Sequence, residues 1–164
     1  MLKFKDGGTK DIDRGYKKIG EVIKDTQGTT VDIGFWGPLS YKNQETVTQI
    51  ATTHEYGDAR QNIPQRSFLR STADAMRTQY KKDLRKIFEK VLTLKLDLVK
   101  GLTIFGEHGV SDVKAKIRTN IPPPLSLVTI MRKWGSTMAL IDTGTMINFI
   151  RHRVNLRGKV KDTN

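Results

Sequence analysis

Three stretches of this 164-residue chain carry residue types that could do chemistry. The first is Leu140-Ile141-Asp142-Thr143-Gly144-Thr145. Two apolar residues followed by Asp-Thr-Gly-Thr surround the catalytic carboxylate of aspartic proteases, where two such loops face each other and share a proton. That chemistry needs the loop between strands and ample β-structure after it. Only 19 residues follow Thr145, and the preceding hundred are mostly helical in pattern. Asp142 and Thr143 are therefore expected to cap a following helix, with Gly144 making the turn. The second stretch, His54-Glu55, opens like a zinc-binding His-Glu-x-x-His, but Asp58 stands where the second histidine belongs. His108 and His152 lie far away, with no carboxylate cluster joining them. The third set, GDAR (57–60) and GEHG (106–109), has the wrong glycine spacing for a phosphate loop. No nucleophile–base–orienter set emerges, so neither metal, cofactor nor enzymatic activity is expected.

Charge is the strongest compositional signal. A formal net charge of +12 attracts phosphate polymers, acidic membranes or an acidic protein partner. Aromatic residues are 7%, too few to alternate with the basic ones as on a base-stacking platform. Any nucleic acid would thus be held through its backbone, without sequence reading. Trp36 and Trp134 each adjoin glycine and suit core or interface packing better than base stacking. Cysteine is absent, which removes disulfides, thiol catalysis and thiolate-bound metals together. No apolar run approaches the roughly 20 residues that span a bilayer, and the first residues show no apolar segment of a secretory signal. A single domain over 1–164 is expected, with about ten N-terminal and about eight C-terminal residues loose.

The elements that must position these residues follow from periodicity. Ile12, Tyr16, Ile19 and Ile23 give a short amphipathic helix over 11–24, capped by Asp11 or Asp13 and stopped at Gln27-Gly28. Val31, Ile33 and Phe35 alternate with Asp32 and Gly34 as a half-buried strand closed by Gly37-Pro38. Val47, Ile50, Ala51 and His54 predict a helix ended by Gly57. After the polar loop 57–66, Ala73, Met76, Tyr80, Leu84, Ile87, Val91, Leu94 and Leu98 step by three or four. They predict a long helix over about 67–98, capped at Ser67 or Ser71-Thr72, with a bend or break near Thr93. Its wet face carries Arg77, Lys81, Lys82, Arg85, Lys86, Lys90 and Lys95. Gly101, Gly106 and Gly109 predict a break, and a short helix is expected to restart at Ser111. Ser126 caps a further turn or two after Pro122-Pro123-Pro124. Residues 146–156 read as helix and then strand, with Ile150, Val154 and Leu156 opposite Arg151, Arg153 and Asn155. The fold class expected is α+β, a small mixed or antiparallel sheet packed with helices.

Two of these stretches, taken together, carry a family likeness. In the first, His54-Glu55-Tyr56-Gly57 precedes Ile63, Pro64, Arg66, Phe68 and Leu69. In the second, Pro124-Leu125-Ser126 precedes Thr129-Ile130, Arg132-Lys133 and Leu140-Ile141-Asp142-Thr143-Gly144. In this order, with a long helix between them, they resemble the landmarks of the tail-completion or neck proteins of tailed bacteriophages. Ser67 and Ala139 stand where that family usually has proline. The resemblance covers residues 30 to 156. It implies a ring-forming subunit, commonly six copies, that caps the tail tube and meets the head connector or stopper protein. It further implies that Asp142 is structural and that the protein belongs to the virion, assembled in the bacterial cytoplasm. The loop 57–66 and the stretch 101–124, the latter too rich in Gly and Pro for core, are expected at contacts between copies. Lys81, Lys82, Arg85 and Lys86 are the candidates for non-specific contact with DNA, and no membrane partner is expected.

Overall fold

The computed structural model describes residues 15–36, 46–133, 136–156 and, for the backbone, 159–162. The expected cap at Asp11 or Asp13, the strand closure at Gly37-Pro38 and the packing of Trp134 lie outside the described residues. Helix α1 runs Tyr16–Thr26, strand β1 Thr30–Gly34, helix α2 Val47–Tyr56, helix α3 Leu69–Leu92 and helix α4 Leu98–Arg118. Helix α5 (Leu127–Arg132), helix α6 (Thr145–Asn148) and strands β2 (Arg151–Leu156) and β3 (Lys159–Asp162) complete them. The fold is α+β, with one small antiparallel sheet in the order β1-β2-β3. None of the described helices is long and apolar enough to cross a membrane.

Alternation sets the register of the sheet. Val31 pairs with Val154 and Ile33 with His152, while Asp32 faces Arg153, which faces Asp162. Val154 and His152 are buried and meet α4, so one face of the sheet is apolar and the other charged. Lys159–Asp162 is a third strand where the basic composition suggests loose chain.

The largest departure from the sequence expectation is α4. It is continuous from Leu98 to Arg118, without the break expected at Gly101, Gly106 and Gly109. Glycine costs about 1 kcal/mol against alanine inside a helix, yet all three are buried here. A Cβ at Gly106 would collide with the His152 ring, and one at Gly109 with the Ile33 side chain. At Gly101 it would lie 2.7 Å from Ile87 Cγ2. The glycines thus let α4 seat closely against the sheet on one side and α3 on the other. One face of residues 101–118, with Leu102, Val113 and Ile117, is core, which corrects the expectation that this stretch is too glycine-marked to pack inside.

Helix α3 is correspondingly shorter than 67–98. It stops at Leu92, as the expected break near Thr93 requires, and Leu94 takes a positive φ of 58° in the turn. Asp97 then caps α4, its side chain accepting from the Lys100 N–H at 3.0 Å. Val91, Leu98, Leu102 and Val154 form one core cluster under the sheet. The second is built on Phe68, Val113, Ile117, Ile147 and Ile150 with Val47 and Ala51 of α2. Helix α1 has no buried residue and leaves Tyr16 77% exposed.

Candidate functional site

The site begins with how α2 ends. Thr46 caps the helix in a reciprocal box with Gln49. Gly57 closes it at φ +77°, and a Cβ there would lie 2.8 Å from the Gln65 nitrogen. That close approach lets the chain double back, with Asp58 and Ile63 exchanging backbone bonds of 2.8 and 2.9 Å. The Arg66 N–H donates to His54 O at 2.8 Å, and Gln65 Nε2 to Glu55 O at 3.1 Å.

The return brings the start of α3 onto Glu55. Its Oε2 accepts from the N–H groups of Phe68 (2.7 Å) and Leu69 (2.9 Å). Its Oε1 accepts from the Arg70 N–H (3.0 Å) and the Ser67 hydroxyl (2.6 Å). A carboxylate 4% exposed thereby satisfies orphan donors at the positive end of the helix. This corrects the cap expected from Ser67 or Ser71-Thr72. Ser67 Oγ contributes only a 3.3 Å bond from the Ser71 N–H, while Ser71 and Thr72 bond back to carbonyls one turn earlier. Phe68 is fully buried, edge-on to Phe35 at 6.1 Å.

The second landmark is tied to the first by Arg66. Its guanidinium donates from Nε (3.0 Å) and Nη2 (2.7 Å) to Pro123 O, with Nη2 also 3.4 Å from Pro124 O. Beyond the prolines, Ser126 caps α5 through the Thr129 N–H, as its position in the sequence predicts. Lys133 Nζ then donates to Met138 O and Ile141 O, both at 2.7 Å. Asn120 Oδ1 accepts from the Ala139 N–H at 2.9 Å. These bonds fold the loop that carries Leu140 and Asp142 back over α5. Gly144, at φ +77°, starts α6. Thr143 Oγ1 takes the Thr145 N–H at 3.3 Å, whereas Asp142 is exposed and does not cap the helix.

The two landmarks converge on one open cleft of about 650 Å³. His54, Ile63, Pro64 and Arg66 line one wall, and Pro124, Leu125, Thr129, Lys133, Leu140 and Asp142 the other. Glu55, Phe68 and Leu69 stand behind it as support. Tyr56 points outward, 66% exposed with the Arg70 guanidinium 5.8 Å from its ring centroid, and Arg132 is exposed. The basic group Lys81, Lys82, Arg85 and Lys86 is not part of this cleft. All four are exposed along α3, in two neighbouring rows, Arg77–Lys81–Arg85 and Lys82–Lys86–Lys90.

Burial, then the charges of Arg66 and Lys133, push the His54 imidazole below its usual range. Its Nδ1 is buried without a hydrogen-bond partner. Burial also lowers Lys133, partly countered by Asp142 and reinforced by Arg66. Arg66 and Lys133 place their donors on backbone carbonyls, so the cations of the cleft act as fasteners between chain segments. No group of three or more His, Asp or Glu gathers to hold a metal ion among the described residues.

Sequence reasoning missed two parts of this region. Asn120 and Gln65 act across the chain fold, and no local spacing announces them. The other is the outer face of α5, where Leu127, Val128 and Met131 are 79%, 60% and 79% exposed. Their i, i+1, i+4 spacing was the available signal. Comparison of the chain with protein-family models, with curated proteins and with solved structures gives no match.

Proposed function

We propose that this chain is a structural virion protein of a tailed bacteriophage. It would act as a tail terminator or head–tail joining (neck) protein, its copies forming a ring, commonly of six, between tail tube and head connector. The observation that carries this reading is the apolar ridge of α5. Three large side chains stand in water beside the cleft where both family-like landmarks meet. Such a ridge on a strongly charged protein marks a surface that functions covered. A ring subunit needs two different contact surfaces, head to tail around a closing rotation, and the ridge supplies one. Minor tail-completion and stopper roles in the same neck region would draw on the same surface.

Negative-stain images of the purified protein, alone and with tail tubes, test this. Rings or capped tube ends are expected. A protein that stays monomeric in both conditions refutes the reading.

A second reading, a basic module holding DNA non-specifically, is favoured by the exposed basic group Lys81, Lys82, Arg85 and Lys86 on α3. It expects duplex affinity that falls steeply with salt. Replacing all four residues should lower the logarithmic salt slope by about 3.6, at about 0.9 per phosphate contact. No binding at low salt would dispose of it.

A further inference from the structure

The cleft is a surface distinct from the α5 ridge. Ser126, Thr129 and Lys133, spaced i, i+3 and i+7, line it, so Leu127, Val128 and Met131 stand on the far side of the same helix. Its volume of about 650 Å³ lies in the range of ligand sites, and like them it mixes apolar walls with a few convergent polar groups. Ile63, Pro64, Pro124 and Leu125 supply the apolar area. Arg66 and Lys133 supply two positive charges, against one lining carboxylate among the described residues, the exposed Asp142. Both cations rest on neutral carbonyl oxygens. Such bonds satisfy donors but leave the formal charge uncompensated, and partial burial makes that less favourable. Glu55, behind the wall, gives its oxygens to the start of α3.

We propose that the cleft receives an acidic segment of a different protein, whose carboxylate meets the Arg66 and Lys133 charges while an adjoining apolar side chain lies along Ile63 and Leu125. Charge selects this occupant. An ammonium has three donors, and Lys133 places two on carbonyls, so a third can meet a carboxylate oxygen in a charge-assisted bond. A second copy of this chain brings the wrong sign. It carries a formal net charge of +12, and its own apolar ridge lies in Leu127–Arg132, a segment without a carboxylate. The apolar walls, in turn, suit a peptide better than the phosphates of a nucleic acid. The inference is independent of the ring reading, which uses the ridge on the other side of α5.

Short peptides blocked at both ends, with glutamate, glutamine or lysine between two leucines, test this by titration into the intact isotope-labelled protein. The glutamate peptide should shift the amide signals of Asn62, Ile63 and Thr129, which line the cleft. It should also raise the pH at which the His54 ring titrates, because an incoming negative charge offsets the two cations. The glutamine peptide should bind severalfold more weakly and leave the His54 titration in place, and the lysine peptide should bind more weakly still. Asp142→Asn removes the competing carboxylate from an exposed position, so it should strengthen binding of the glutamate peptide severalfold in a protein that folds normally. Equal affinity for the glutamate and glutamine peptides overturns the proposal, as do an unmoved cleft and shifts confined to the basic group on α3. Hexanoate bound as tightly as the glutamate peptide also overturns it, making the cleft a site for a small apolar acid. The images that test for rings are unaffected by any of these results.

Discussion

The α2–α3 junction and helix α5 lie on either side of one cleft and are built by opposite means. At the junction the buried charges are occupied: one buried carboxylate serves four donors, and one buried guanidinium closes on two carbonyls. On α5 the polar groups are local caps, and the apolar side chains face water. The junction is finished within one copy of the chain. The α5 ridge leaves apolar area that a partner could cover. The contrast separates residues whose loss should unfold the protein from residues whose loss should leave it folded but unable to assemble.

Glu55→Ala should give the largest stability effect. It strands three backbone donors and a hydroxyl in a buried place, costing about 3 kcal/mol or more, read by urea unfolding. A loss under about 1 kcal/mol would mean that the junction is not held as described. Arg66→Lys comes next. Lysine keeps the charge but not the planar fork that reaches Pro123 O twice, so a loss of about 1–3 kcal/mol is expected.

His54 sharpens the comparison through pH. Its folded-state pKa is depressed, so the unfolded chain takes up the proton more readily. The neutral imidazole's contribution is complete above the unfolded value of about 6.5. It is lost as pH falls below that, at up to about 1.4 kcal/mol per pH unit. Arg66, Lys133 and Asp142 share the cleft with it. Unfolding midpoints between pH 7 and 5 should therefore flatten in His54→Gln, and an unchanged slope would assign the effect elsewhere.

The smallest stability effect belongs to the ridge. Leu127→Asp with Met131→Asp should shift unfolding by no more than about 0.5 kcal/mol per site, yet abolish rings and tube capping. If the double variant assembles normally, the ridge is not the interface, and the contrast between the two regions fails.

What was legible in the sequence was whatever is settled within a few residues. Val31 and Ile33 alternate because one face of their strand is buried. Ser126 caps the helix that follows it, and the length of the periodic run points to a bend or break near Thr93. What was not legible depended on distant partners. Gly106 and Gly109 read as helix breakers until His152 and Ile33, brought from other elements, explain why only hydrogen fits there. Glu55 reads as half of a failed metal motif, because its donors arrive 12 to 15 residues later around a turn. The cleft follows the same logic. Its lining residues were picked out as two separate landmarks, and the bond from Arg66 to Pro123 and the core they share make them neighbours.

The sheet joins opposite ends of the chain, since Thr30–Gly34 has no ladder until Arg151–Leu156 arrives. During translation β1 therefore waits unpaired while nearly all the helices are made. Its ladder forms only once the late strand has been synthesised and has docked on α4. The cluster of Val154 with Leu98 and Leu102 likewise closes only when residues 151–156 are available.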